Sequence, residues 1–225
     1  MQGEGTVSEL VLLDGLPAAR IGCNTSLIPA PGQYVLAHAV GSDAPLASAL
    51  FAAGILPDGL IAAPPIPSTW YPGTRLRMRG PLGHGFSLPP SAHNVALIAF
   101  HCPARTLLSM LEPAFRQGAS VALVGVQLPD DLPLQVEMQP LHALPDILRW
   151  ADFTAFDLPR ESLPELKSVL QAYRTAIKAE GQVLIRTPMP CGALAACGVC
   201  TVELKGALHL ACDDGPVFDI RQLLE

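Results

Sequence analysis

Four of the six cysteines fall in one short stretch, with the spacing Cys191-x5-Cys197-x2-Cys200-x11-Cys212. Thiolates are soft ligands, and in a reducing compartment clustered cysteines bind metal or carry redox chemistry more often than they form disulfides. The residues between the first three are small: Gly192, Ala193, Ala195, Ala196 and Gly198. Such a loop can wrap close around a bound group, with its backbone N–H groups aimed at the sulfurs. Cys23 and Cys102 stand alone and read as buried apolar side chains.

Three close thiols and a distant fourth resemble the ligand layout of plant-type [2Fe–2S] ferredoxins, except that the first spacing is longer by a single residue. In such a site, N–H groups facing sulfur stabilise the reduced, more negative state. Two other readings stay open. The same cysteines could hold a structural Zn²⁺ in Cys₄ geometry, although only Cys197 and Cys200 form the Cys-x2-Cys knuckle of zinc ribbons, or they could be free thiols.

Those thiols need a scaffold. Half of the 225 residues are apolar and 15% are charged, which excludes disorder and allows a real core. A net charge of −6 with no Lys/Arg cluster argues against a nucleic-acid partner. The apolar stretch Ala44–Leu56 is broken by Pro45 and Gly54, too short for a membrane span. The first residues, Met1-Gln2-Gly3-Glu4-Gly5, show no export signal, so a cytoplasmic location is expected.

Residues 1–90 alternate short apolar segments (Glu9–Leu13, Gln33–Ala39, Arg75–Arg79) with Pro/Gly punctuation, which predicts an all-β barrel or sandwich. Arg75-Leu76-Arg77-Met78-Arg79 has the period of a half-buried strand, ended by the glycine-rich turn Gly80–Phe86. Residues 91–186 read as an α/β unit. Val95–Phe100 and Val121–Gly125 are continuous apolar strands, with a helical stretch between them at Thr106–Gly118. A second helix follows from Leu163, Leu166, Leu170, Tyr173 and Ile177, with Ser162 and Glu165 as its capping box and Pro164 in its first turn. Val183–Ile185 is a further strand, and residues 187–225 form the cysteine lobe.

With these residues in place, the chain resembles a known family: the electron-transfer subunit of the two-flavin, NAD-linked dihydroorotate dehydrogenases, within the ferredoxin reductase superfamily. The resemblance rests on Met189-Pro190-Cys191-Gly192, on Cys197-Gly198-Val199-Cys200, and on Ala211-Cys212-Asp213-Asp214-Gly215-Pro216-Val217-Phe218. Upstream, Pro31-Gly32-Gln33-Tyr34-Val35 is similar to a barrel strand of that family, and Gly80-Pro81-Leu82-Gly83-His84-Gly85-Phe86 to the turn that closes its flavin domain. The resemblance implies a barrel that binds FAD, an α/β domain that binds NADH, and a C-terminal [2Fe–2S] cluster. The cluster would pass electrons to an FMN-containing dihydroorotate dehydrogenase catalytic subunit, giving a hetero-oligomer.

The sequence departs from the family in two places. Where the family carries an arginine for the FAD pyrophosphate, Ala44–Phe51 has no basic residue, so the family allows FAD but its motif is missing. Where the family has a glycine-rich turn after the first α/β strand, Phe100-His101-Cys102-Pro103-Ala104-Arg105-Thr106 has no glycine, and the later Cys-Gly-Pro turn is replaced by Ala155–Pro159. NAD binding is therefore not expected unless Arg105 and the following helix start make an unorthodox phosphate site.

His84 reads as a surface turn residue, and His101 beside Cys102 as a poor catalytic pair, since adjacent side chains point apart. Asp213 and Asp214 could tune a cluster or merely form a solvated turn, and Asn24-Thr25-Ser26 carries no weight as a glycosylation sequon. The function expected is an electron relay to or from a flavoprotein, with Cys191, Cys197, Cys200 and Cys212 as ligands and no acid–base residue of its own. The alternatives are a complete FAD/NAD(P)H-dependent subunit of a ferredoxin:NADP or sulfur oxidoreductase, and a zinc-stabilised interaction module.

Overall fold

A computed structural model of the chain describes residues 1–174 and 180–224. Six strands close a barrel: β1 (Gln2–Leu13), β2 (Leu16–Cys23), β3 (Tyr34–Ala39), β4 (Ser48–Leu56), β5 (Gly59–Ala62) and β6 (Arg75–Leu82). Their order around the barrel is β1-β2-β5-β4-β3-β6. The alternation read in β6 acts as expected. Leu76 and Met78 point inward to Val7, Ile21 and Leu60, while Arg75 and Arg77 face out.

An α/β sheet follows, with five parallel strands: β7 (Asn94–Ala99), β8 (Ser120–Gly125), β9 (Val136–Pro140), β10 (Phe153–Pro159) and β11 (Glu180–Arg186). A hairpin, β12 (Thr201–Leu204) with β13 (Ala207–Leu210), comes next, and then β14 (Val217–Asp219) returns to pair antiparallel with β11. The sheet order is β14-β11-β10-β7-β8-β9, so the crossovers diverge between β7 and β10. The carboxyl ends of those two strands form the crevice where ligands bind in open α/β sheets.

Among the described residues three α-helices cover this sheet: α1 (Leu111–Arg116), α2 (Leu144–Trp150) and α3 (Leu163–Ala172). The helical stretch predicted from Thr106 begins as a 3-10 segment, Ala104–Met110, and becomes α-helical only at Leu111. Its N-cap position is Pro103, which has no side-chain acceptor for the first N–H groups. The capping box predicted for α3 does not form. Ser162 is itself helical (φ −86°, ψ −4°) in a preceding 3-10 turn and makes no cap bond, while Glu165 turns to His101 Nδ1 at 3.5 Å. Ile177, the last apolar position of that predicted helix, lies outside the described residues.

One hydrophobic cluster ties the barrel, the sheet and the cysteine segment together. It joins Tyr34 and Phe51 of the barrel to Phe156 and Ile185 of the sheet, and to Met189, Cys200, Val202, Cys212 and Phe218. The cysteine segment is therefore packed into the main core. The turn after β6 is stapled to the chain's last strand as well: His84 N–H donates to Gly215 O at 2.6 Å, and a Cβ at Gly83 (φ +72°) would strike Pro216.

Candidate iron–sulfur site

The four cysteines predicted as ligands are brought together as two pairs. Cys191 and Cys197 Sγ atoms lie 3.5 Å apart on the outer side, and Cys200 and Cys212 Sγ atoms 3.2 Å apart on the inner side. Cys197 is exposed and Cys191 half-buried, whereas Cys200 and Cys212 are buried. The local sequence explains the split. Buried Met189 anchors the entry to the loop, and left-handed Gly192 (φ +52°) and Ala193 (φ +67°) fold it back on itself. Gly198 (φ +74°) then turns the chain into β12, and Ala211 N–H donates to Cys200 O at 3.1 Å, which brings Cys212 back beside Cys200.

The scaffold grips this loop with cations. Arg79, at the outer edge of β6, donates Nη2 to Cys191 O at 3.0 Å and also to Gly192 O. Arg160 donates Nη1 to Val199 O at 2.9 Å and to Thr201 O at 3.2 Å, and Lys167 Nζ reaches Glu203 O at 3.0 Å. On the inner side the buried Tyr34 hydroxyl donates to Cys212 O at 3.2 Å. Three positive charges on the carbonyls of a segment with four thiols suit a bound group that carries negative charge.

The thiols are electrostatically unequal. Burial pushes Cys191 up, but backbone hydrogen bonding at Ala195, the Cys197 thiol and the Ala193 N–H outweigh it and bring the group down to about 7. Burial, and next the Cys200 thiol, push Cys212 up to about 12. Cys212 is therefore costly to ionise without a cation beside its sulfur. Beside the outer pair opens a cavity of about 680 Å³, lined by Leu36, Arg77, Arg79, Cys191 and Leu194 among others. Leu194 and Val199 stand exposed at the tip of the loop.

Residues 187–224 match the family model of the iron–sulfur cluster binding domain of dihydroorotate dehydrogenase B. Along the rest of the chain the likeness is structural. The NADH-dependent reduced ferredoxin-NADP oxidoreductase superposes with a TM-score of 0.77 at 18% identity, over 97% of this chain and 88% of that one. This chain carries a dihydroorotate dehydrogenase B type iron–sulfur domain on a ferredoxin-reductase-like fold. The ferredoxin reductase of carbazole 1,9a-dioxygenase gives a TM-score of 0.62 at 16% identity, over 80% of this chain and 68% of that one. A ferredoxin NADP+ reductase of Neisseria gonorrhoeae with bound FAD and NADP gives 0.58 at 15%, over 82% and 98%.

On this ferredoxin-reductase-like scaffold, β4 offers no charge for a diphosphate. Ala49 and Phe51 of β4 line a cavity of about 230 Å³, and the cation beside it, Arg186, sits 5.7 Å over the Phe51 ring. Its charge is already matched by the buried Asp157 carboxylate, with Nε to Oδ1 at 2.6 Å and Nη2 to Oδ2. The residues along β4 therefore do not fit the diphosphate of FAD.

The crevice at the strand ends is equally committed. Arg105 holds Asp14 of the β1–β2 turn through Nε at 2.9 Å and Nη2 at 2.7 Å, and Asp131 at 2.8 Å. Two carboxylates already match its charge, so Arg105 is not free to hold a phosphate in this structure. Ala155–Pro159, read as standing in for a turn, is strand β10 itself. His101 and Cys102 do not act as a pair: His101 stacks on Phe100 and faces Glu165, while Cys102 Sγ donates to Asp157 O at 3.0 Å.

The other singled-out residues serve the fold. His84 is more than a surface turn residue, since its Nδ1 meets Asp214 O at 3.0 Å where the closing turn joins the C-terminal segment. Asp214 Oδ2 accepts from Leu210 N–H at 2.7 Å, and Asn24 Oδ1 accepts from Ser26 N–H at 2.9 Å. Arg79, Arg160 and Tyr34 were missed by sequence reasoning. They lie 39 to 178 residues from the carbonyls they hold, on three different elements, and only the outward phase of β6 hints at Arg79.

Proposed function

We propose that this chain is a one-electron relay that holds a [2Fe–2S] cluster and docks on a flavoprotein, the FMN-containing catalytic subunit of a dihydroorotate dehydrogenase. The observation that carries the reading is the sorting of the thiols into an outer pair, Cys191 with Cys197, and an inner pair, Cys200 with Cys212. A two-iron cluster takes two thiolates on each iron, whereas one zinc ion needs four thiolates around one point.

When bound, the cluster supplies reversible one-electron storage. The chain's own residues do the rest. Cys200 and Cys212 fix the cluster to the core, and the exposed Cys197 and half-buried Cys191 bring its outer edge to the surface. Leu194 and Val199, at the tip of the same loop, offer an apolar contact for a partner. Arg79, Arg160 and Lys167 offset the negative charge that reduction adds. No side chain at the site is placed to abstract a proton from an organic substrate, so that chemistry belongs to the partner. A complete FAD/NAD(P)H reductase is not supported by the residues at β4 and Arg105. No helix among the described residues is long and apolar enough to cross a membrane, and unpaired cysteines suit a reducing cytoplasm.

Anaerobic purification followed by iron, zinc, sulfide and flavin assays tests the reading, with EPR before and after dithionite. Two irons and two sulfides per chain, and an EPR signal only after reduction, are expected. Zinc without sulfide, or stoichiometric flavin without iron, would overturn it.

A further inference from the structure

The peptide between Gly192 and Ala193 is held at both ends. Its carbonyl accepts from Arg79, whose same Nη2 also bonds Cys191 O at 3.0 Å. In a trans peptide the C=O and N–H point in opposite directions. The Ala193 N–H is thereby turned to the other side, where it faces the sulfurs of both Cys191 and Cys212, one from each pair.

That orientation is not one the loop would hold unaided. Gly192 and Ala193 are consecutive left-handed residues, at φ +52° and +67°, and for alanine this conformation carries a local cost. A Cβ at position 192 would collide with both Leu36 and the Arg79 guanidinium, so the carbonyl is seated against β3 and β6 with no room to swing. Arg79 is half-buried in the wall between the cysteine loop and the open cavity. Its Nη2 is the group from the barrel that sets the direction of this peptide.

We propose that Arg79 is a positioning residue that sets the cluster's reduction potential: by holding the Gly192 carbonyl, it keeps the Ala193 N–H aimed at the Cys191 and Cys212 sulfurs. An N–H facing a thiolate, with a guanidinium behind the same peptide, favours the state that has gained an electron. No proton moves, and the thiolates stay deprotonated. The inference rests on the [2Fe–2S] reading above.

The test is an EPR-monitored redox titration, with dithionite as electron donor, of wild type, Arg79→Gln and Arg79→Lys, with iron assayed on each sample. Lysine keeps the charge, but on a flexible stem without the planar group that directs Nη2 at both carbonyls. With iron retained, both variants are expected to titrate at more negative potential. In Arg79→Gln the reduced-to-oxidised ratio at a fixed potential should fall about tenfold, ~59 mV for one electron. Arg116→Gln, at the exposed end of α1 where the side chain pairs with Glu112, should leave the potential in place. An unmoved potential in both Arg79 variants, or Arg79→Lys matching wild type, would overturn the proposal while sparing the relay. Loss of iron from both variants also overturns it, because Arg79 is then only a scaffold contact. A wild-type chain that takes up no iron overturns the relay reading and this inference together.

Discussion

The Cys102 thiol sits against the Asp157 carbonyl, and burial, and next the Asp157 charge, push it well above its ordinary value of 9.0. The native state therefore keeps a proton that the unfolded chain gives up near pH 9. The resulting stabilisation is full below that pH and is lost as pH rises above it. Urea unfolding at pH 8 and pH 10 should show a falling midpoint for wild type and a smaller fall for Cys102→Ala. Equal falls would remove Cys102 as the cause. The sequence reading of Cys102 as a buried apolar side chain is corrected here: the residue is only partly buried, and its thiol donates to Asp157 O. Spacing singled out Cys191, Cys197, Cys200 and Cys212 because thiols clustered in one loop leave a local imprint. It could not show which thiol pairs with which, since that depends on the hairpin that returns Cys212 to Cys200.

At the level of elements, Asp157 and Arg186 link β10 and β11, and Arg186 then spans to Thr106 and to the Phe51 ring of the barrel. The Asp157 side chain is 0% exposed and that of Arg186 17%. Removing one member of a buried pair strands the other's charge, at about 3–5 kcal/mol. Asp157→Ala should lower the unfolding free energy by that amount in chemical denaturation, and a loss under about 1 kcal/mol would mean that water reaches Arg186 freely. The strands were legible because buried parallel strands are continuous apolar runs. The pair was not, because Asp157 and Arg186 are 29 residues apart and meet only through strand register. The capping box was a local pattern overridden by its context: the 3-10 turn before α3 took Ser162 into the helix and left Glu165 free to face His101.

Across the whole molecule, one core serves barrel, sheet and cysteine segment, and Phe218 lies in it with Cys200, Cys212, Val183 and Leu184. Truncating a buried aromatic costs about 3–5 kcal/mol. Here the loss should fall on metal binding as well, because the Phe218 ring closes over Gly215, three residues beyond Cys212. Phe218→Ala is expected to lower both the thermal midpoint and the iron retained after gel filtration. Full iron with a lowered midpoint would show that the lobe is independent of the core. The sequence divided the chain into consecutive segments, but it gave no sign that the last few residues return to the central sheet.

That return has a further consequence. Leu184 of β11 lies directly opposite Val217 of β14, so the thirty-odd residues between them leave the sheet and come back at a single point on its edge. A tight turn is all that antiparallel neighbours need to be joined. The excursion is thus enclosed at both ends by one strand pairing, and parting β14 from β11 would release its C-terminal end while Arg79 and Arg160 still hold its loop.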